Sequence, residues 1–193
     1  MTRNDGAPKS NRFSAAPIWN AHKKGLRNRS FKQAMKSAPD LLARWTLYGV
    51  PVLLGGASWY FGATVAAIDG LLAAAGVLAG GLFMGFTQVA AWRDRYTERT
   101  DTHETAEKPQ RYSLDETVAH ILMATYGCFV LVVVVLVGAN FANAKGELTG
   151  PFAAATVLVG SYVLLLMAII LPKLYAAYAV THKVDREMSG LSR

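Results

Sequence analysis

Leu71-Leu-Ala-Ala-Ala-Gly76-Val-Leu-Ala-Gly80-Gly81-Leu-Phe-Met-Gly85-Phe-Thr-Gln-Val-Ala-Ala-Trp92 is a run of 22 residues without a single Asp, Glu, Lys or Arg. A helix rises about 1.5 Å per residue, so roughly 20 residues cross a hydrocarbon core of about 30 Å. Three further stretches in the 193-residue chain have the same character: 45–68 (24 residues), 117–140 (24 residues) and 152–171 (20 residues). In a soluble fold each would have to be a helix buried on every side, four times in succession. Charged residues make up 17% of the chain, against roughly 25% for soluble domains. The pattern predicts an all-α polytopic membrane protein with four transmembrane helices.

Its threading follows from the cations. Of twenty Lys and Arg, ten lie in residues 1–44, five in 93–116 and four in 172–193; the connections 69–70 and 141–151 hold only Lys145. Cytoplasmic loops carry the excess of cations. Both termini and the 93–116 loop are therefore expected on the cytoplasmic side of a bacterial inner (plasma) membrane, with spans one and two joined outside by a two-residue turn. Ser37-Ala-Pro-Asp40 and Ser113-Leu-Asp-Glu116 suit the starts of spans one and three as helix caps, and Gly150-Pro151 the turn into span four. Trp45 and Trp92 fall at the inner boundaries, where interfacial aromatics gather. Pro172-Lys173 is expected to bend the exiting helix, leaving 172–193 as a cytoplasmic segment.

Residues 1–18 are polar and Gly/Pro-rich and are expected to form a mobile tail. Within 19–44, Phe31, Ala34, Met35, Ala38 and Leu42 recur at helical spacing while Arg29, Lys32 and Lys36 fall on the other side. That is an amphipathic basic helix suited to the inner leaflet, with anionic lipids as its partner at about 1 kcal/mol per cation. No nucleic-acid reader motif accompanies the charge, so no nucleic-acid partner is expected.

In lipid, helices associate through close backbone approach at small residues. Span two carries Ala73, Gly76 and Gly80, then Gly81 and Gly85; span one carries Ser58, Gly62 and Ala66 at four-residue spacing. These rows predict an intimate hairpin of spans one and two, with the second glycine row available to a neighbouring copy in a homo-oligomer. The bulky runs Leu131–Val137 and Leu164–Leu171 predict that spans three and four form an outer, lipid-facing shell.

Chemistry is sparse. Walker, GxSxG, HExxH and CxxC patterns do not occur in the sequence. Asp101, His103, Glu104 and Glu107 form a loose acidic set best read as a solvated linker, Cys128 as a packing residue, and Arg93, Asp94, Arg95, Glu98 and Arg99 as a water-exposed extension of span two. Polar residues inside the spans include Tyr48, Gln88, His120, Ser161 and Tyr162. His120, one turn into span three, suits an interfacial or hydrogen-bonded role, and Ser161 and Tyr162 suit bonds across helices. No catalytic residue, cofactor or metal site is expected.

The order of a glycine-rich span (Gly80-Gly-Leu-Phe-Met-Gly-Phe-Thr-Gln88), a charged cytoplasmic helix and Leu114-Asp-Glu-Thr-Val-Ala-His-Ile-Leu-Met-Ala-Thr-Tyr126 entering span three resembles the small four-span inner-membrane proteins of bacterial genomes, prophages and phage-defence neighbourhoods. The resemblance implies a membrane component working with partners in phage exclusion or defence, and carries over no site residue. The expectation is a non-enzymatic subunit that oligomerises and scaffolds or signals to a cytoplasmic partner. A holin-like pore and a small solute transporter are the alternatives, weakened by the lack of a polar stripe and of midplane charge.

Overall fold

The computed structural model describes residues 15–26, 41–98 and 104–181. Among them the chain is helical: α1 (Ala16–Gly25), α2 (Leu41–Arg44), a π-helical turn (Trp45–Gly49), α3 (Val50–Tyr60), α4 (Ile68–Glu98), α5 (Glu104–Ala139) and α6 (Gly150–Thr181). Three segments are long and apolar enough to cross a membrane: Ile68–Asp94, Tyr112–Ala139 and Gly150–Ala179. At 27 to 30 residues each, they reach about 40 to 45 Å. The expected spans two and four lie inside them, as does span three up to Ala139. α6 runs on through Pro172 without a break.

The first span and its turn differ from expectation. α2, the π turn and α3 follow one another directly, but helix ends at Tyr60, not at Ile68. Ala63 N–H donates to Ser58 C=O (2.9 Å) and Gly62 N–H to Trp59 C=O (3.2 Å), with Gly62 at φ +63°. This is a Schellman stop, which needs a left-handed residue just past the helix and so a glycine. Gly62 therefore caps, and Ala66 lies in the connection that follows; the Ser58, Gly62, Ala66 row is not a helix face. Asp69 and Gly70 are not the turn but part of the first turn of α4, where the Asp69 carboxylate suits the positive end of the helix dipole. The wide turn at Trp45–Gly49 precedes Pro51, which has no N–H to donate and would crowd the carbonyl four residues back in an ideal helix.

The helix pairing corrects the expected layering. α3 lies along α6, α6 along α5 and α5 along α4; α3 does not form an intimate hairpin with α4. The close approaches occur at single glycines. A Cβ on Gly55 would stand 2.9 Å from Leu158 Cβ, one on Gly127 2.7 Å from Val163 Cγ2, and one on Gly138 2.9 Å from Phe152 Cβ. The centre is α5 and α6, where Ile121, Ala124, Cys128, Val135, Val163, Leu166 and Ile170 are buried. Of the apolar windows, 39% of α5 and 28% of α6 is buried against 11% of α4. Spans three and four are thus the core and α4 the flank. The physical reason is that Leu and Val fill the space between three neighbours, whereas a glycine row leaves a shallow face that needs a matching one. Cβ atoms on Gly76, Gly80 or Gly81 would meet nothing within 4 Å.

At the outer end, Val65 N–H donates to Leu148 C=O (3.0 Å) and Leu148 N–H to Val65 C=O (2.9 Å), joining the two outer connections. At the inner end the Arg93 Nε to Asp115 Oδ1 contact (3.0 Å) ties α4 to α5. Trp45 is exposed as an interfacial aromatic would be, but Trp92 is buried in the core.

Candidate functional site

The N-terminal helix brings the polar residues together. α1 is short because its pattern is short: Pro17 starts it in the first turn, where a missing N–H costs little, and Lys23 and Lys24 lie in its last turn, suited to the negative dipole end. It ends at Gly25 and packs on α5; residues 27–40 of the expected 19–44 amphipathic helix lie outside the described residues. Arg29, Lys32 and Lys36 lie outside the described residues. Gly25 sets the closeness of the contact, since a Cβ there would stand 2.6 Å from Glu116 Cγ and 3.1 Å from His120 Cε1.

One turn back from Gly25, His22 is buried completely, as is His120 of α5. Their Nδ1 atoms are 2.7 Å apart. Tyr162 Oη of α6 is 3.4 Å from His22 Nε2. On the other side His120 Nε2 faces Glu116 Oε1 at 3.6 Å, and Lys173 Nζ of α6 donates to that same carboxylate oxygen. Tyr48, from the π turn, stacks on Tyr162 with ring centroids 6.0 Å apart and meets His22 edge-on at 6.5 Å. Trp19 closes the group, 6.2 Å from His22 and 6.1 Å from Tyr48.

One proton arrangement satisfies this geometry. Two nitrogens at 2.7 Å require one N–H and one lone pair, so at most one imidazole carries a proton on Nδ1 there. If His22 donates through Nδ1, His120 is left with its proton on Nε2, aimed at the Glu116 carboxylate. His22 Nε2 is then a lone pair that accepts from the Tyr162 hydroxyl. The order Tyr162 to His22 to His120 gives each of those hydrogen bonds one donor and one acceptor and points the His120 Nε2 proton toward the Glu116 carboxylate, 3.6 Å away and beyond hydrogen-bond length; the opposite tautomers would set a lone pair against the carboxylate. Both rings are neutral in this state. Burial, the neighbouring His120 and the Lys173 ammonium push the His22 imidazole down from its ordinary value to about 3.

Glu116 and Lys173 keep partial contact with the surroundings, while the core on the far side of Tyr162 is Cys128, Leu131 and Val135. The arrangement can hold α1 in place and can pass a proton between adjacent rings over its own length. Among the described residues, no three His, Cys, Asp or Glu side chains are disposed to hold a metal ion.

The residues singled out for packing scatter. Ser58 is buried on the face of α3 that meets α6, Gly85 approaches Ile121 Cδ1 (3.8 Å for an added Cβ), and Ala73, Gly76, Gly80 and Gly81 face outward. Tyr162 bonds across helices as anticipated, whereas Ser161 donates within its own helix to Leu158 C=O. His120 is hydrogen-bonded, and Cys128 is a buried packing residue. His22 went unremarked in the sequence. The available signal was an imidazole beside Trp19 in a segment otherwise free of bulky polar rings. Comparison with protein-family models, curated proteins and solved structures finds no match for this chain.

Proposed function

We propose that this chain is a non-enzymatic, four-span subunit of a bacterial inner membrane whose N-terminal helix is a latch on the cytoplasmic end of the bundle, signalling to or scaffolding a soluble cytoplasmic partner. The fourth span is Leu41–Tyr60, twenty residues of helix and so about 30 Å long. The cation distribution orients it, with both termini and the α4–α5 connection inside. The observation that carries the latch is the buried His22–His120 bond: a helix with an exposed, basic side is fastened to the bundle by a polar pair at its centre, with Trp19 and Leu26 packed on either side of it. Such a fastening is reversible, and its release would hand residues 1–40, with nine of the ten N-terminal cations, to a partner. The outward Gly76, Gly80 and Gly81 supply a face for self-association, so the subunit is a homo-oligomer in this reading, and the resemblance drawn from the central stretch suits a role in phage exclusion or defence. The apolar core beyond Tyr162 favours a fastening over an ion path.

In-cell photo-cross-linking from position 24, in the native chain and in His22→Phe, tests the reading together with dye entry into producing cells. A soluble protein cross-linked more strongly in the undocked variant, without dye entry, is the expected result. Dye entry with no cross-linked soluble protein would replace it with a pore.

A further inference from the structure

α1 runs antiparallel to α5 over the part they share. Gly25 lies over Glu116 and His120, His22 meets His120, and Trp19 together with Ala15, Ala16 and Ile18 lies beside Met123 and Tyr126. These last six residues line a groove of about 400 Å³ with almost wholly apolar walls, within the size range of ligand sites. Tyr126 is ten residues beyond Glu116 along the helix, about 15 Å deeper at 1.5 Å per residue. The groove therefore lies at hydrocarbon depth while the other end of α1 lies at the inner membrane surface.

That other end is cationic. Lys23 Nζ lies 4.9 Å from the centroid of the Trp19 ring, the same ring that walls the groove. Arg44, at the start of the π-turn segment, reaches the Lys23 carbonyl with Nη2 at 3.4 Å, and Lys24 is exposed next to it. α1 carries no acidic residue, and Glu116 of α5 is already engaged by Lys173. An apolar groove with one wall, Trp19, overlain by Lys23, and with Arg44 at the Lys23 carbonyl, is complementary to a molecule with an alkyl tail and an anionic head.

We infer that the α1–α5 groove seats one acyl chain of an anionic phospholipid, with its headgroup phosphate held by Lys23 and Arg44. The occupant is a lipid because the groove opens at hydrocarbon depth, and an anionic one because the charged side chains of α1 and α2 beside it, among the described residues, are the cations Lys23, Lys24 and Arg44. A bound lipid of this kind would brace α1 against α5 and so add a second fastening to the His22–His120 pair. This rests on the membrane reading above, and one measurement separates the two.

The full chain is reconstituted in phosphatidylcholine vesicles containing either brominated-chain phosphatidylglycerol or brominated-chain phosphatidylcholine, and tryptophan quenching is compared between the native chain and Trp19→Phe of equal helicity. Trp45 and Trp59, both exposed on the helix surface, report on embedding in lipid; the difference between the two chains reports on Trp19. The expected result is that the Trp19 component is quenched at lower content of the anionic lipid than of the zwitterionic one, by about fivefold for each cation engaged. Lys23→Gln, checked for unchanged α1 protection, should lose about one such factor. Quenching of Trp45 and Trp59 with none assignable to Trp19 overturns the groove and leaves the membrane reading standing. Equal quenching of Trp19 by both lipids, unaffected by Lys23→Gln, also overturns it, because the groove would then be ordinary lipid-facing surface. No quenching of any tryptophan overturns both.

Discussion

Acidification should loosen α1, by an amount that follows from His22. The imidazole is neutral and enclosed when α1 is docked, facing His120 and Glu116 of α5, Lys173 and Tyr162 of α6, and Tyr48 of the π turn. Its docked value is about 3, against 6.5 in water. Because the docked value is the lower one, the released form binds the proton more readily between the two, and acid favours release. Docking is at full strength above 6.5 and weakens as pH falls through the window down to about 3. At about pH 5 the released form is favoured by about 2 kcal/mol relative to neutral pH, roughly thirtyfold in the docking equilibrium. The assay is hydrogen exchange of the peptide covering Ala16–Gly25, corrected for the intrinsic pH dependence of exchange and compared with the α5 core around Ile121 as an internal standard. His22→Gln serves as the control: it should expose α1 more at neutral pH and remove most of the acid-induced change. A native chain whose α1 protection stays level or rises between about pH 7.5 and about pH 5 would refute the argument.

Other substitutions examine the packing. Gly25→Val should force α1 off Glu116 and His120, at about 1–3 kcal/mol of docking, read as loss of α1 protection with the spanning helices intact. Gly127→Leu drives a side chain into Val163 and should destabilise the α5–α6 pair by about 1–3 kcal/mol or more in a detergent unfolding titration. Gly80→Ala, where an added Cβ meets open space, should leave the isolated chain unchanged or up to about 1 kcal/mol more stable while weakening self-association measured by cross-linking. Gly62→Ala places a side chain at φ +63° and should cost about 1–2 kcal/mol in the same titration, without altering α1.

The apolar runs made the helices legible. Length and the lack of charge place Leu71–Trp92 inside α4 and residues 152–171 inside α6 whatever surrounds them. The end of α3 was harder, because Phe61-Gly62-Ala63 is as apolar as the helix before it; only the left-handed glycine marks the stop. Helix pairing was not legible either. Gly76-xxx-Gly80 looks like a contact surface and faces outward, while the lone Gly55, Gly127 and Gly138 make the close approaches. In lipid, pairing depends on what the opposing helix offers, and a one-helix pattern does not contain that. The site was least legible of all. His22 and His120 are 98 residues apart, on elements whose patterns give no reason to meet.

The paired amides of Val65 and Leu148 stitch one end of the molecule through its main chain. Two main-chain bonds join the α3–α4 and α5–α6 connections, and the Leu148 side chain is wedged beneath Gly138. At the opposite end, the fasteners among the described residues include side chains: an ion pair, a lysine on a carboxylate, and two imidazoles. Side-chain fasteners answer to salt and proton activity, and backbone ladders do not. The described helices therefore behave like a sheaf stitched at the Val65–Leu148 end, with splaying concentrated at the opposite end and pivoting about the stitch.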